Sequence, residues 1–132
     1  MPLNLHIVTP SRNMLSMACD DVVLPGYDGE MGILSEHTQL VNRLGAGIIK
    51  IKNGAETKIL AIAGGVAEII NNEVTVLADD AVFPQEVNLQ KLEQDQKLIS
   101  EQLVTLAEST SDRERLFEKQ RWITAQKELT QS

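Results

Sequence analysis

Residues 48–77 read IIKIKNGAETKILAIAGGVAEIINNEVTVL. Ile48 to Lys52 and Thr57 to Ile62 are rich in β-branched residues and flank Asn53-Gly54, the dipeptide that most readily supplies two positive φ values for a type I′ turn. Ala67 to Ile70 and Val74 to Leu77 flank Asn71-Asn72, a weaker form of the same signal. The stretch predicts two successive β-hairpins, with Gly64-Gly65 between them marking a bulge or a close approach of two backbones.

The same grammar extends toward the N-terminus. From Leu3 to Val8 the side chains alternate, with Leu3, Leu5 and Ile7 on one face and Asn4 and His6 on the other. Leu15, Met17 and Cys19 make a second alternation, and Val22-Val23-Leu24 runs into Pro25-Gly26. Gly26, Gly29 and Gly32 recur every third residue, but a phosphate cradle needs glycines that open a helix, usually with a Lys behind. Met31, Ile33 and Leu34 continue instead as a strand, so these glycines predict a turn between strands. Many short strands without an intervening helical period predict a β-sandwich or barrel, read as an antiparallel β-sandwich at residues 1–84.

After Pro84 the composition changes: Gly and Pro vanish, and Gln, Glu, Lys and Leu take over. Leu92, Ile99 and Leu106 recur every seventh residue, with Leu89 and Leu103 near the same stripe, and Asn88 stands where an N-cap belongs. Ser109-Thr110-Ser111-Asp112 interrupts the pattern, and Ser111 with Glu114 spells a capping box for a second helix. In that helix Leu116 and Ile123 share one face while Trp122, Ala125 and Leu129 occupy another, which predicts more than one packing partner. Residues 85–132 are thus expected to form an antiparallel helical hairpin, making the whole mainly β plus α.

With 132 residues the chain has room for one core and an appendage. Its net charge of -7 argues against nucleic acid, whose binding relies on clustered Lys and Arg. Residues 1–84 hold five basic against ten acidic side chains, and the remainder seven against nine. A lone Cys19 permits no internal disulfide, and the longest apolar run, Ile59 to Ala67, is far short of the ~20 residues that span a bilayer. No targeting segment is read at the N-terminus, so any membrane contact is expected to go through another protein.

His6, His37, Cys19 and Asp20-Asp21 are the residues that invite a metal or catalytic reading, but each lies in a different segment without ligand spacing. Neither catalysis, metal nor cofactor is expected. His6 falls on a polar strand face and Cys19 on an apolar one, as an exposed and a small core residue would. Arg113, Arg115, Lys119, Arg121 and Lys127, interleaved with Glu114, Glu118 and Glu128, read by themselves as a solvated helix face.

LPGYDGEMGILSEHTQL, residues 24–40, resembles the segment of the rotary ATP synthase epsilon subunit in which a Pro-Gly turn, a G-E-x-G turn and a downstream His follow in this order. AGGVAEIINNEVTVLADDAV, residues 63–82, resembles the other signature of that family, Gly-Gly before a strand, a two-residue turn and a V-T-V-L-A-D strand end. The resemblance covers essentially the whole chain. It implies a non-catalytic rotor subunit whose two-sheet sandwich joins the gamma subunit to the c ring, peripheral on the cytoplasmic face of a bacterial inner membrane or in an organelle-encoded equivalent. By position it assigns Glu30 and His37 to the ring-facing end. It also makes the hairpin regulatory: folded on the sandwich it permits ATP hydrolysis, and extended along gamma into the alpha and beta subunits it blocks it, with Arg113, Arg115, Lys119 and Arg121 facing acidic groups.

Departures from the family pattern exist. Ser35-Glu36 stands where the family often has Pro-Gly, and Gln39 replaces a common Pro. Some members bind ATP through [I/L]-D-x-x-R-A, and the matching residues here are Val87, Asn88, Leu89, Gln90, Lys91 and Leu92. Asn88 removes the carboxylate and Lys91 offers no planar fork, so no ATP binding is expected. The rival readings are an adaptor of unrelated assembly, which would ignore synthase subunits, and a nucleotide-sensing protein, which would bind ATP.

Overall fold

Alternating apolar residues force a strand to bury one face, as Leu3–Val8 and Glu73–Ala78 do, and the described residues form ten strands. In the computed structural model, which describes residues 2–34, 39–105 and 110–131, these are β1 (Leu3–Val8), β2 (Asn13–Cys19), β3 (Asp21–Gly26), β4 (Gly29–Leu34), β5 (Leu40–Leu44), β6 (Gly47–Asn53), β7 (Glu56–Ile62), β8 (Gly65–Ile70), β9 (Glu73–Ala78) and β10 (Ala81–Val82). Their order is β10-β7-β6-β3-β5-β8-β9-β1-β2, with β4 paired on the other side of β3. The path folds into a sandwich, its halves joined where Gly26 of β3 meets Leu44 of β5. Pairing among the described strands is antiparallel, as expected, with one correction: β1 and β9 run parallel, because they are joined through the rest of the sandwich and not by a hairpin.

The core lies between the halves. Leu3, Leu5, Ile7, Ile69, Val74 and Val76 come from one, and Val22, Leu24, Ile33, Ile49, Ile51, Leu60 and Ile62 from the other. Leu15 and Met17 pack against this cluster and Cys19 is buried in it, as their alternation predicts. At about 25 cal/mol per Å² of apolar surface removed from water, this dense cluster is the main source of the fold's stability.

The two predicted turns come out differently. Ile70 pairs with Glu73 across Asn71-Asn72, whose φ values of 49° and 66° make the type I′ turn. In the other hairpin Asn53 is itself paired, with Glu56, and the turn is Gly54-Ala55. Only Gly54 has positive φ there, at 64°, the pattern of a type II′ turn, so the expected Asn53-Gly54 turn lies one residue off. Sliding it by one sets which faces of β6 and β7 meet the core. Gly65 is the close approach expected at Gly64-Gly65: its φ is 147°, and a Cβ there would run into the carbonyl oxygen of Leu77.

Beyond a 3₁₀ turn at Pro84–Glu86 come α1 (Leu89–Thr105) and α2 (Thr110–Gln131). Asn88 is the cap of α1: its Oδ1 accepts the Lys91 backbone N–H at 3.1 Å. Leu92 and Ile99 are buried while Leu89 is half exposed. Leu106 and Ser109 lie outside the described residues. The capping-box expectation is corrected, because α2 already includes Thr110 and Ser111, so Ser111 is helical and not the cap.

Candidate functional site

β7 lacks the alternation of its neighbours because both of its faces are covered. Leu60 and Ile62 point into the sandwich core, while Ile59 and Ala61 belong to a separate cluster with Ala125 and Leu129 of α2. Ile48, opposite Ala61 in the β6–β7 ladder, joins them, as do Val82, Val87 and Trp122. Alanines on both sides of the contact bring helix and strand close together, and Leu129, Ile48, Ile59, Val82, Val87 and Trp122 supply the apolar bulk around them.

The other face of α2 has a different partner. Leu116 and Ile123 are buried against Leu92 and Ile99 of α1. Ile123 and Ala125 are about 200° apart around the helix, given ~100° per residue, so α2 is apolar on two opposed stripes. Each predicted stripe thus has its own partner. Among the described residues helix α1 contributes to no cluster that includes a strand residue; it is held through α2 and through Val87, which packs in both clusters.

The chain's passage from sandwich to hairpin is also held by polar contacts. Arg12 and Glu86 form a two-pronged ion pair, Nη1 to Oε2 at 2.7 Å and Nη2 to Oε1 at 2.8 Å. Arg12 Nη2 also donates to the Ala81 carbonyl at 3.2 Å, and Glu86 Oε1 accepts the Phe83 N–H at 2.8 Å. These contacts hold the Glu86 carboxyl at about 2, chiefly through the hydrogen bond from Arg12, and they raise the Arg12 guanidinium in turn. Residues 74 apart in the chain carry no local sign of this pairing, and it was not foreseeable from spacing.

A second polar contact reaches from the sheet to α2. Arg43 of β5 lies over the Tyr27 ring, 3.9 Å from its centroid, and its Nη2 is 3.9 Å from Glu118 Oε1. Tyr27, Arg43, Asp79, Glu118 and Arg121 line an open groove of about 610 Å³ between the sandwich edge and α2. The ion pair is long and exposed on both sides, so it contributes little to stability.

Glu30 sits exposed in β4, opposite Pro25 of β3 and next to the Tyr27-Asp28 turn. His37 lies outside the described residues. Arg113, Arg115, Lys119 and Arg121 are all exposed on α2 but do not form one cluster. Arg121 faces the groove with Arg43, whereas Lys119 lines a depression between the helices with Asp95 and Trp122; Arg115 is 3.8 Å from Asp112. His6, on the outer face of β1, has Nδ1 3.0 Å from Ser16 Oγ and Nε2 3.0 Å from Glu73 Oε2. Burial pushes the Cys19 thiol up, as suits an inert core residue. Among the described residues no three His, Cys, Asp or Glu side chains group as metal ligands, and no helix is long and apolar enough to cross a membrane.

The architecture defines a class: a β-sandwich carrying a two-helix tail on one outer face. Residues 2–84 match the family described as "ATP synthase, Delta/Epsilon chain, beta-sandwich domain". The chain is also 35% identical, over 97 residues spanning 74% of its length and 72% of its relative's, to the ATP synthase epsilon chain of Prochlorococcus marinus (strain AS9601). It is 42% identical over 89 residues, 67% of this chain and 66% of the other, to that of Nitratidesulfovibrio vulgaris (strain DSM 19637 / Miyazaki F). The chain belongs to the epsilon-chain family of the F-type ATP synthases. Among solved structures the fold matches a chain of the Euglena gracilis mitochondrial ATP synthase OSCP/F1/c-ring assembly with TM-score 0.77 and 20% identity, covering 96% of this chain and 79% of that one. It also matches a chain of the Tetrahymena thermophila mitochondrial ATP synthase central stalk and c ring, with TM-score 0.73 and 13% identity, covering 98% and 97%.

Proposed function

We propose that the chain is a non-catalytic central-stalk subunit of a proton-translocating ATP synthase, peripheral on the cytoplasmic side of a bacterial inner membrane. Residues 1–84 form the rigid part, holding the gamma subunit and the c ring, with Glu30 and His37 toward the ring. Residues 85–132 form the regulatory part. Docked as in this structure, the hairpin leaves ATP hydrolysis free; extended along gamma, it restrains hydrolysis through Arg113, Arg115, Lys119 and Arg121 against acidic groups of the alpha and beta subunits.

The observation that supports this reading is the seat of α2. It consists of Ala125 and Leu129, flanked by Trp122, on Ala61 and its neighbours, while Leu116 and Ile123 bind the hairpin to itself. A hairpin with its own apolar seam, seated on the sandwich through one side of α2, moves as a unit when that seat is released. A partner that favours one arrangement by about 5.5 kcal/mol moves the population from 1:99 to 99:1.

Nucleotide sensing is disfavoured by a specific contact, since the Asn88 side chain is committed to capping α1. Removing residues 85–132 from the assembled synthase should leave coupled proton pumping intact and abolish any restraint on hydrolysis. Loss of coupling in that truncation, or hydrolysis restrained as before, defeats the assignment.

A further inference from the structure

We propose that Arg12 is a positioning residue for the tail: it fixes the Pro84–Glu86 turn to the sandwich, so that the hairpin swings about Val87 and Asn88. The proposal rests on the movable tail described above and adds where the pivot lies and what holds it there.

On the sandwich side the anchor is itself fixed. The Arg12 backbone N–H donates to Thr9 Oγ1 at 3.2 Å, and its carbonyl accepts the Thr9 N–H at 2.9 Å, closing a tight turn between β1 and β2. From that turn the guanidinium grips both Glu86 oxygens and the Ala81 carbonyl of β10. One side chain therefore ties three separate segments together.

On the tail side Glu86 is held twice more. Its carboxylate accepts the Phe83 N–H at 2.8 Å, and its own N–H donates to the Phe83 carbonyl at 3.0 Å. Pro84 opens the turn with a fixed φ and no N–H to lose. An isolated exposed ion pair contributes little, but this one has the planar bidentate geometry and is shared with two backbone groups. The 3₁₀ turn thus behaves as part of the β domain.

Two residues further on, Asn88 caps α1, and its carbonyl accepts the Leu92 N–H at 3.1 Å. Between these two rigid blocks stands Val87, extended at φ -71° and ψ 128°, with its N–H held only at 3.3 Å by Pro84. Its side chain packs against both the α1–α2 seam and the α2 seat, which places it at the meeting point of hairpin and sandwich.

Amide hydrogen exchange on the full chain tests this. In the wild type the N–H groups of Phe83 and Glu86 should exchange with the slow sheet amides and more slowly than Val87 and the first turn of α1. Arg12→Met should speed the Phe83 and Glu86 amides by about tenfold, to the rate of α1, with the amides of β8 and β9 unchanged. The exchanged pair Arg12→Glu with Glu86→Arg should restore most of the protection. Unaltered exchange at these two amides in Arg12→Met overturns the proposal, and so does a wild type in which they already exchange with α1. The amides of α2 report separately on undocking: sheet-like protection there would defeat the movable-tail reading while leaving the Arg12 comparison decisive.

Discussion

Ile123 and Ala125, two residues apart on α2, are buried against different neighbours: Ile123 against α1, and Ala125 against Ala61 of β7. The helix is consequently a shared wall, and weakening either contact should have a distinct outcome.

Leu129→Ala should weaken the seat alone. A buried leucine cut back to alanine costs at least about 2 kcal/mol, and here the loss falls on docking. Trypsin should cleave the tail faster while the thermal transition of the sandwich stays put. Leu98→Ala, at a side chain 56% exposed, should change neither by more than about 0.5 kcal/mol.

Ile123→Ala should instead loosen the hairpin internally, at a cost of about 2 to 4 kcal/mol. The helical circular dichroism signal should melt earlier than the sheet signal. A single coincident transition in this variant would mean that hairpin and sandwich are one cooperative unit.

Gly65→Ala should destabilise the sandwich by roughly 1 to 3 kcal/mol, because the φ of 147° is strained for any L side chain and Leu77 leaves no room for a Cβ. Denaturant unfolding should show a lower midpoint at an unchanged slope. Gly54→Ala should cost less, because the turn at Gly54 is open to solvent and only its positive φ opposes a side chain.

Glu86 sets an acid dependence. Its folded value of about 2 lies below the ordinary 4.5, so folding favours the ionised form. The contribution is fully present above pH 4.5 and is lost as the pH falls toward 2. The advantage of wild type over Glu86→Gln in thermal midpoint should be flat near neutrality and shrink across that acid window. Solvent screening of a side chain one third exposed keeps the effect small.

If the proposed regulatory role holds, charge reversal at Arg113, Arg115, Lys119 and Arg121 should raise ATP hydrolysis in the assembled synthase, most strongly at low salt. The Arg121 reversal should contribute separately from that of Lys119, since the two side chains lie on opposite flanks of α2. Unchanged hydrolysis in the fourfold variant at every ionic strength would remove these residues from the inhibitory arm.

Sequence by itself determined the elements whose causes are local. The alternation at Leu3, Leu5 and Ile7, the paired asparagines at the β8–β9 turn and the cap at Asn88 all act through neighbours in the chain, and each appears where the pattern places it. The two apolar stripes of α2 were legible for the same reason, though not what each would touch. Only the tertiary structure decided that Ala61 receives Ala125, that the β6–β7 turn slips to Gly54-Ala55, and that Arg12 reaches Glu86. Those outcomes depend on which surfaces meet when distant segments fold together, and contacts between residues far apart in the chain leave no periodicity for a sequence to display.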